Sequence, residues 1–160
     1  MKTNVSRLIK IPVFLLVLLA LVSCKSLTIS MDNKVPPTFT FSAGRFAECC
    51  RHLAFLGVYE ILPENQDVPW LESRPKEDMV LWQIWPQEGT DNSADSLPSI
   101  TYGKTPPGFI QKIPAQGEPP PLREGKVYEV GGPPIEVPNA YMRFTIRNGK
   151  AVQVPIPQRQ

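Results

Sequence analysis

Apolar and polar positions follow two different patterns along this chain, and the boundary between them falls near residue 24. Residues 11–20 are continuously apolar, but Ser23, Lys25 and Ser26 close the run short of the roughly 20 residues that span a hydrocarbon layer. Residues 25–34 are polar without strong periodicity and predict a short tether. Thr38-Phe39-Thr40-Phe41-Ser42 then alternates cleanly, which predicts a strand with Phe39 and Phe41 inward. Residues 46–52 read equally as a short helix or a strand. Residues 53–61 predict a second strand, ended by Pro63. Residues 79–85 are the strongest strand signal: Val80, Trp82 and Ile84 share one face, Leu81, Gln83 and Trp85 the other. Both faces are largely apolar, as in a central strand covered on both sides. Residues 64–67 and 87–96 read as loops, and residues 99–102 and 109–113 as two short strands.

Residues 122–130 carry the most specific structural signal. Leu122, Gly125 and Tyr128 recur at intervals of three ahead of an alternating strand, which resembles the E–F corner of fibronectin type III and related sandwiches. The resemblance implies that the ring of Tyr128 packs in the core while its hydroxyl bonds upstream backbone. It covers about nine residues and departs at Glu124, where the fibronectin pattern commonly has Pro. Residues 140–154 predict a hairpin around Asn148-Gly149. A three-residue loop pairing Ile146 with Lys150, Phe144 with Val152 and Met142 with Val154 gathers the apolar side chains on one face. The expectation is therefore a type I turn with a G1 bulge, leaving Arg143, Thr145 and Arg147 facing water. Pro155 and Pro157 would keep the edge strand from recruiting another chain.

Composition sharpens this picture. The chain has 19 prolines in 160 residues, more than double the usual share of about 5%, and proline resists helix formation. Residues 114–121 and 131–138 are proline-rich connections. The strand segments are too apolar for a disordered chain. About seven short strands with frequent turns predict an all-β fold: a two-sheet antiparallel β-sandwich, immunoglobulin-like or transthyretin-like, over residues 38–157.

The amino-terminal segment has its own logic. Lys2, Arg7 and Lys10 precede the apolar run, and Leu21-Val22-Ser23-Cys24 follows it. The sequence resembles a bacterial lipoprotein signal with its lipobox. That resemblance implies cleavage after residue 23, a diacylglycerol thioether on Cys24 and an acylated amino terminus. Residues 1–23 would be the signal peptide and 24–37 a lipidated tether, and more than one acyl chain gives stable anchoring. Lys25 lacks the Asp that retains enteric lipoproteins in the inner membrane. The implied location is therefore the periplasmic face of the outer membrane. Loss of three leader cations leaves 14 basic against 15 acidic residues. A near-neutral body offers no clustered basic face for nucleic acid.

Candidate chemistry is sparse. With Cys24 lipidated, Cys49 and Cys50 remain, and adjacent cysteines bridge only through a strained ring, so a redox pair is an alternative to two ordinary thiols. His52 is the sole histidine, and no distant partner supports a Cys-His site. Neither a metal-ligand spacing nor a cofactor fingerprint is present, and no enzyme is expected. Trp70 and Trp85 are candidates for a binding surface because tryptophan is enriched at hot spots, together with Arg143 and Arg147 on the predicted hairpin. Proline-rich stretches dock partners at small ordering cost. The expectation is an envelope protein that acts by binding, as an interaction or assembly subunit with a protein partner. A periplasmic small-ligand or inhibitor module is the alternative.

Overall fold

Nine strands and their connections account for most of the residues that the computed structural model describes: 27–42, 52–68, 79–93, 96–97, 99–132 and 141–157. The strands are β1 (Thr28–Met31), β2 (Thr38–Ser42), β3 (Leu56–Ile61), β4 (Val80–Pro86), β5 (Ile100–Thr101), β6 (Phe109–Ile113), β7 (Val127–Gly131), β8 (Tyr141–Arg147) and β9 (Lys150–Val154). They form two antiparallel sheets, one of three strands in the order β1-β2-β5 and one of six in the order β6-β4-β3-β7-β8-β9. The predicted two-sheet β-sandwich is what the chain forms, with nine strands among the described residues rather than about seven.

Period-two alternation explains the core. Ile29, Phe39, Phe41 and Ile100 point inward from the small sheet, with Thr and Ser between them. Leu56, Val58, Trp82, Ile84, Tyr128, Val130, Met142, Phe144 and Ile146 meet them from the large sheet. Phe39 reaches across to Phe144 with ring centroids 5.8 Å apart. Along one side the sheets are stitched together where the Ala151 amide donates to the Asn33 carbonyl, 3.3 Å away.

Three expectations are corrected. The first concerns the tether. Leu27 is 1% exposed, and Thr28–Met31 pair with β2 from Thr28↔Ser42 to Met31↔Phe39. Leu27, Ile29 and Met31 supply the apolar side chains that β2 needs beside it, so the domain starts ten or so residues earlier than the polar stretch suggested. The second concerns the hairpin, which pairs Arg147 with Lys150, Phe144 with Gln153 and Thr145 with Val152. Asn148 (φ 53°) and Gly149 (φ 68°) form a two-residue turn with both central residues left-handed, the geometry that follows strand twist best. The third follows from it: Arg143 and Thr145 are buried, at 1% and 2% exposure, and only Arg147 of the three faces water. The expected register assumed that one face of β8 is wet. Both faces are covered, so apolar side chains had no need to gather on one of them.

Candidate functional site

The direction of the strands divides the sandwich into two ends. β1 runs from Thr28 toward a turn at residues 32–37, and Thr101 lies opposite Thr38 beside that turn. β6 delivers residues 114–122 to the same end, so the far end from Thr28 collects three proline-bearing connections. Between them lies a groove of about 490 Å³, lined by Val35, Pro36, Tyr102, Lys104, Pro119 and Leu122 among others.

Its walls are built stiffly. Tyr102 follows β5, is 5% exposed, and sets its ring edge-on against Trp82 with centroids 5.6 Å apart. The Tyr102 amide donates to the Pro37 carbonyl at 3.0 Å, and its hydroxyl donates to the Pro120 carbonyl at 2.7 Å. One side chain thereby ties two walls together. Burial, with Tyr128 nearby, holds the Tyr102 phenol well above its ordinary pKa, so it remains a neutral donor. Gly103 turns the chain at φ 80° and approaches Pro119 so closely that a Cβ would lie 3.2 Å from the proline ring. Gln111 fixes the third wall: its amide nitrogen donates to the Pro114 and Gly117 carbonyls at 2.8 and 2.9 Å, while its oxygen accepts from the Trp82 indole at 3.1 Å. Exposed Val35 supplies apolar surface, and Lys104 and Glu118 place opposite charges at the rim. Such a surface offers apolar contact and two charged handles to a ligand. Among its described lining residues, no nucleophile is paired with a base.

Beside the groove stands the corner of residues 122–128. The Tyr128 hydroxyl accepts from the Arg123 amide at 2.7 Å, its ring is fully buried, and Phe144 packs against it at 5.4 Å. Glu124, the departure from the fibronectin pattern, has a local task. Its carboxylate accepts from the amides of Asn148 and Gly149 at 2.5 and 3.4 Å. A turn with two successive left-handed residues presents its N–H groups as a small anion nest, and Glu124 fills it.

A second polar cluster lies on the outer face of the large sheet. Arg143 Nε donates to Glu129 Oε2 at 2.6 Å, and its terminal nitrogens donate to the Gln66 and Val68 carbonyls at 2.8 and 2.9 Å. Residues 62–68, which include a 3-10 turn at Pro63–Asn65, are thereby clamped to the sheet. Burial drives the Glu129 carboxyl up to about 7 against the downward pull of Arg143. Tyr59 on β3 is pushed up to about 12, by burial first and then by Tyr141. This cluster serves packing: every guanidinium nitrogen that reaches a partner finds it in the protein itself.

The sequence candidates scatter. Trp85 is 41% exposed and stacks on Phe55 at 5.3 Å, away from the groove. Arg147 lies on the exposed hairpin end, whereas Arg143 is withdrawn into the clamp. His52 is exposed and its Nδ1 lies 3.0 Å from Asn92 Oδ1. Cys24, Cys49, Cys50 and Trp70 lie outside the described residues. Among the described residues, no group of three or more His, Cys, Asp or Glu is placed to hold a metal ion. Sequence reasoning missed Tyr102 and the Glu129–Arg143 pair. The pair had a signal: Tyr128-Glu129-Val130 and Met142-Arg143-Phe144 each set one charge between apolar neighbours, with opposite signs. No family model, curated protein or solved structure matches this chain.

Proposed function

We propose that this is a lipid-anchored envelope protein, held by Cys24 on the periplasmic face of the outer membrane, that acts by binding a protein partner as an assembly subunit. The observation that carries the binding reading is the groove at the end of the sandwich away from Thr28, with walls already fixed by the Tyr102–Pro120 and Gln111 hydrogen bonds. A surface that is ordered before it meets a partner loses little entropy on docking. Apolar walls with one cation and one anion at the rim suit a polypeptide segment, which carries apolar side chains and both charges. The test is a photo-crosslinking residue at Lys104 in intact cells, with Cys24→Ala as the unanchored control. One discrete protein adduct, lost in the control, is expected. Absence of any adduct in both strains would overturn it.

The groove volume supports a second reading. Small-molecule sites occupy about 300–1,000 Å³, and about 490 Å³ falls within that range. A periplasmic ligand module would release a bound small molecule from the purified protein on denaturation, detectable by mass spectrometry. Tyr102→Ala should empty it.

A further inference from the structure

Among the described residues, the outward face of the three-stranded sheet carries hydroxyls alone. Its positions are Thr28 and Ser30 on β1, Thr38, Thr40 and Ser42 on β2, and Ser99 and Thr101 at β5. Ile29, Phe39, Phe41 and Ile100 alternate with them on the inner face, so the register fixes which side the hydroxyls take. Pairs of them touch: Thr38 and Thr101 Oγ1 are 3.1 Å apart, and Thr40 Oγ1 is 3.2 Å from Ser99 Oγ. A soluble surface is about 25–35% charged, so roughly two charges would be ordinary among these positions. None is present at these seven positions; at the turn beyond, Asp32 and Lys34 bring charge.

The tether supplies the second observation. Leu27 is buried and β1 starts at Thr28, so only Lys25 and Ser26 separate Cys24 from the folded domain. Three residue steps reach at most about 11 Å when fully extended. A domain on so short a lead cannot stand clear of an anchoring membrane, and the sheet holding that lead is the one with the hydroxyl face.

Resting on the lipid-anchor reading above, we propose that this hydroxyl face lies against the phospholipid headgroups, with β1 along the surface. Its occupant is a bilayer, because the lead from Cys24 ends on this sheet and is too short for a polymer layer to intervene. Hydroxyls donate to phosphate oxygens without carrying the desolvation cost of a buried charge. In this pose the groove opens at the end of the sandwich and stays accessible from the periplasm.

The test reconstitutes the full-length lipidated protein in phospholipid vesicles with a photo-crosslinking residue at Thr40, at Ser30, or at Val152, which is exposed on β9 of the other sheet. Mass analysis of the Cys24 peptide is run on each sample. Phospholipid adducts at Thr40 and Ser30 and none at Val152 are expected. An acylated Cys24 peptide with no lipid adduct at Thr40 and Ser30, or with equal adducts at all three, overturns this pose while leaving the anchor intact. An unacylated peptide overturns the anchor reading and the pose together. In intact cells, a glycan adduct at Thr40 in place of lipid assigns the face to the cell-wall polymer and also overturns the pose.

Discussion

The two faces of the large sheet use the same strands to opposite ends. On the inner face of β7 and β8, Tyr128 lies opposite Phe144, and both are fully buried with their rings packed together. One residue along, Glu129 lies opposite Arg143, equally buried, but paired by charge and holding the backbone of residues 66 and 68. The inner face gains stability in proportion to the area it removes from water, and no single partner is obligatory. The outer face carries a cost that is only partly offset: Arg143 pairs with one Glu129 oxygen while Oε1 is buried without a hydrogen bond among the described residues, and removing either charge leaves the other stranded. The lesson is that equal burial does not mean equal tolerance to substitution.

Substitutions distinguish the two faces. Arg143→Ala should have the largest effect, about 3–5 kcal/mol off the unfolding free energy in urea, because Glu129 and two backbone carbonyls lose their partner together. Replacing the pair jointly, Glu129→Leu with Arg143→Met, should recover most of that loss. No second substitution should do the same for Phe144→Ala, which leaves a cavity. If the double variant is as unstable as Arg143→Ala, the clamp is stabilising in its own right and the contrast between the faces fails.

A smaller effect tests the corner. Tyr128→Phe keeps the ring and its packing on Phe144 while removing the acceptor of the Arg123 amide. The expected loss is about 1–2 kcal/mol, the usual penalty for a buried group left unmade. Thermal unfolding that shifts no further than for an exposed hydroxyl deletion would show that the corner contributes by its ring alone.

A test that needs no substitution is pH. Burial raises the Glu129 carboxyl from 4.5 to about 7 in the folded protein. Between those values the native state binds more protons than the unfolded one, so this residue's contribution falls as pH rises. It is fully present below pH 4.5 and is lost as pH climbs through about 7. Equilibrium unfolding across that interval should show the decline, and Glu129→Gln should flatten it. An unchanged slope in that variant would assign the titration to another group.

Much of the fold was legible because alternation reports which side of a strand is dry. Thr38 to Ser42 needed no further information, and residues 79–85 and 109–113 were recognisable as strands, although the second face of residues 79–85, expected to be dry, leaves Trp85 exposed. The same rule misled at β1 and β8 for opposite reasons. At β1 the apolar residues Leu27, Ile29 and Met31 do alternate, but over a span too short and too rich in serine and threonine to stand out from a tether. At β8 alternation assumes a wet face, and residues 62–68, distant in sequence, dry the face that carries Arg143. The groove was less legible still. Its prolines were visible as stiff connections, but their convergence at one end depends on the strand order, which no local pattern encodes. Tyr102 looked like the end of a weak strand, and only its bond to Pro120 shows that it joins two walls.

Glu124 and the Asn148-Gly149 turn also have a consequence for how this sequence can drift. Their contact joins positions 24 residues apart, from Glu124 to Asn148, so neither end is free to change by itself. Proline at position 124 would match the common corner pattern yet remove the carboxylate from the turn's two amides. A tighter or longer turn would leave that carboxylate without its nest. Descendants of this chain should therefore exchange the two together, an acid with a left-handed turn or a proline with a different loop, and the pairing should be visible as covariation between these sites.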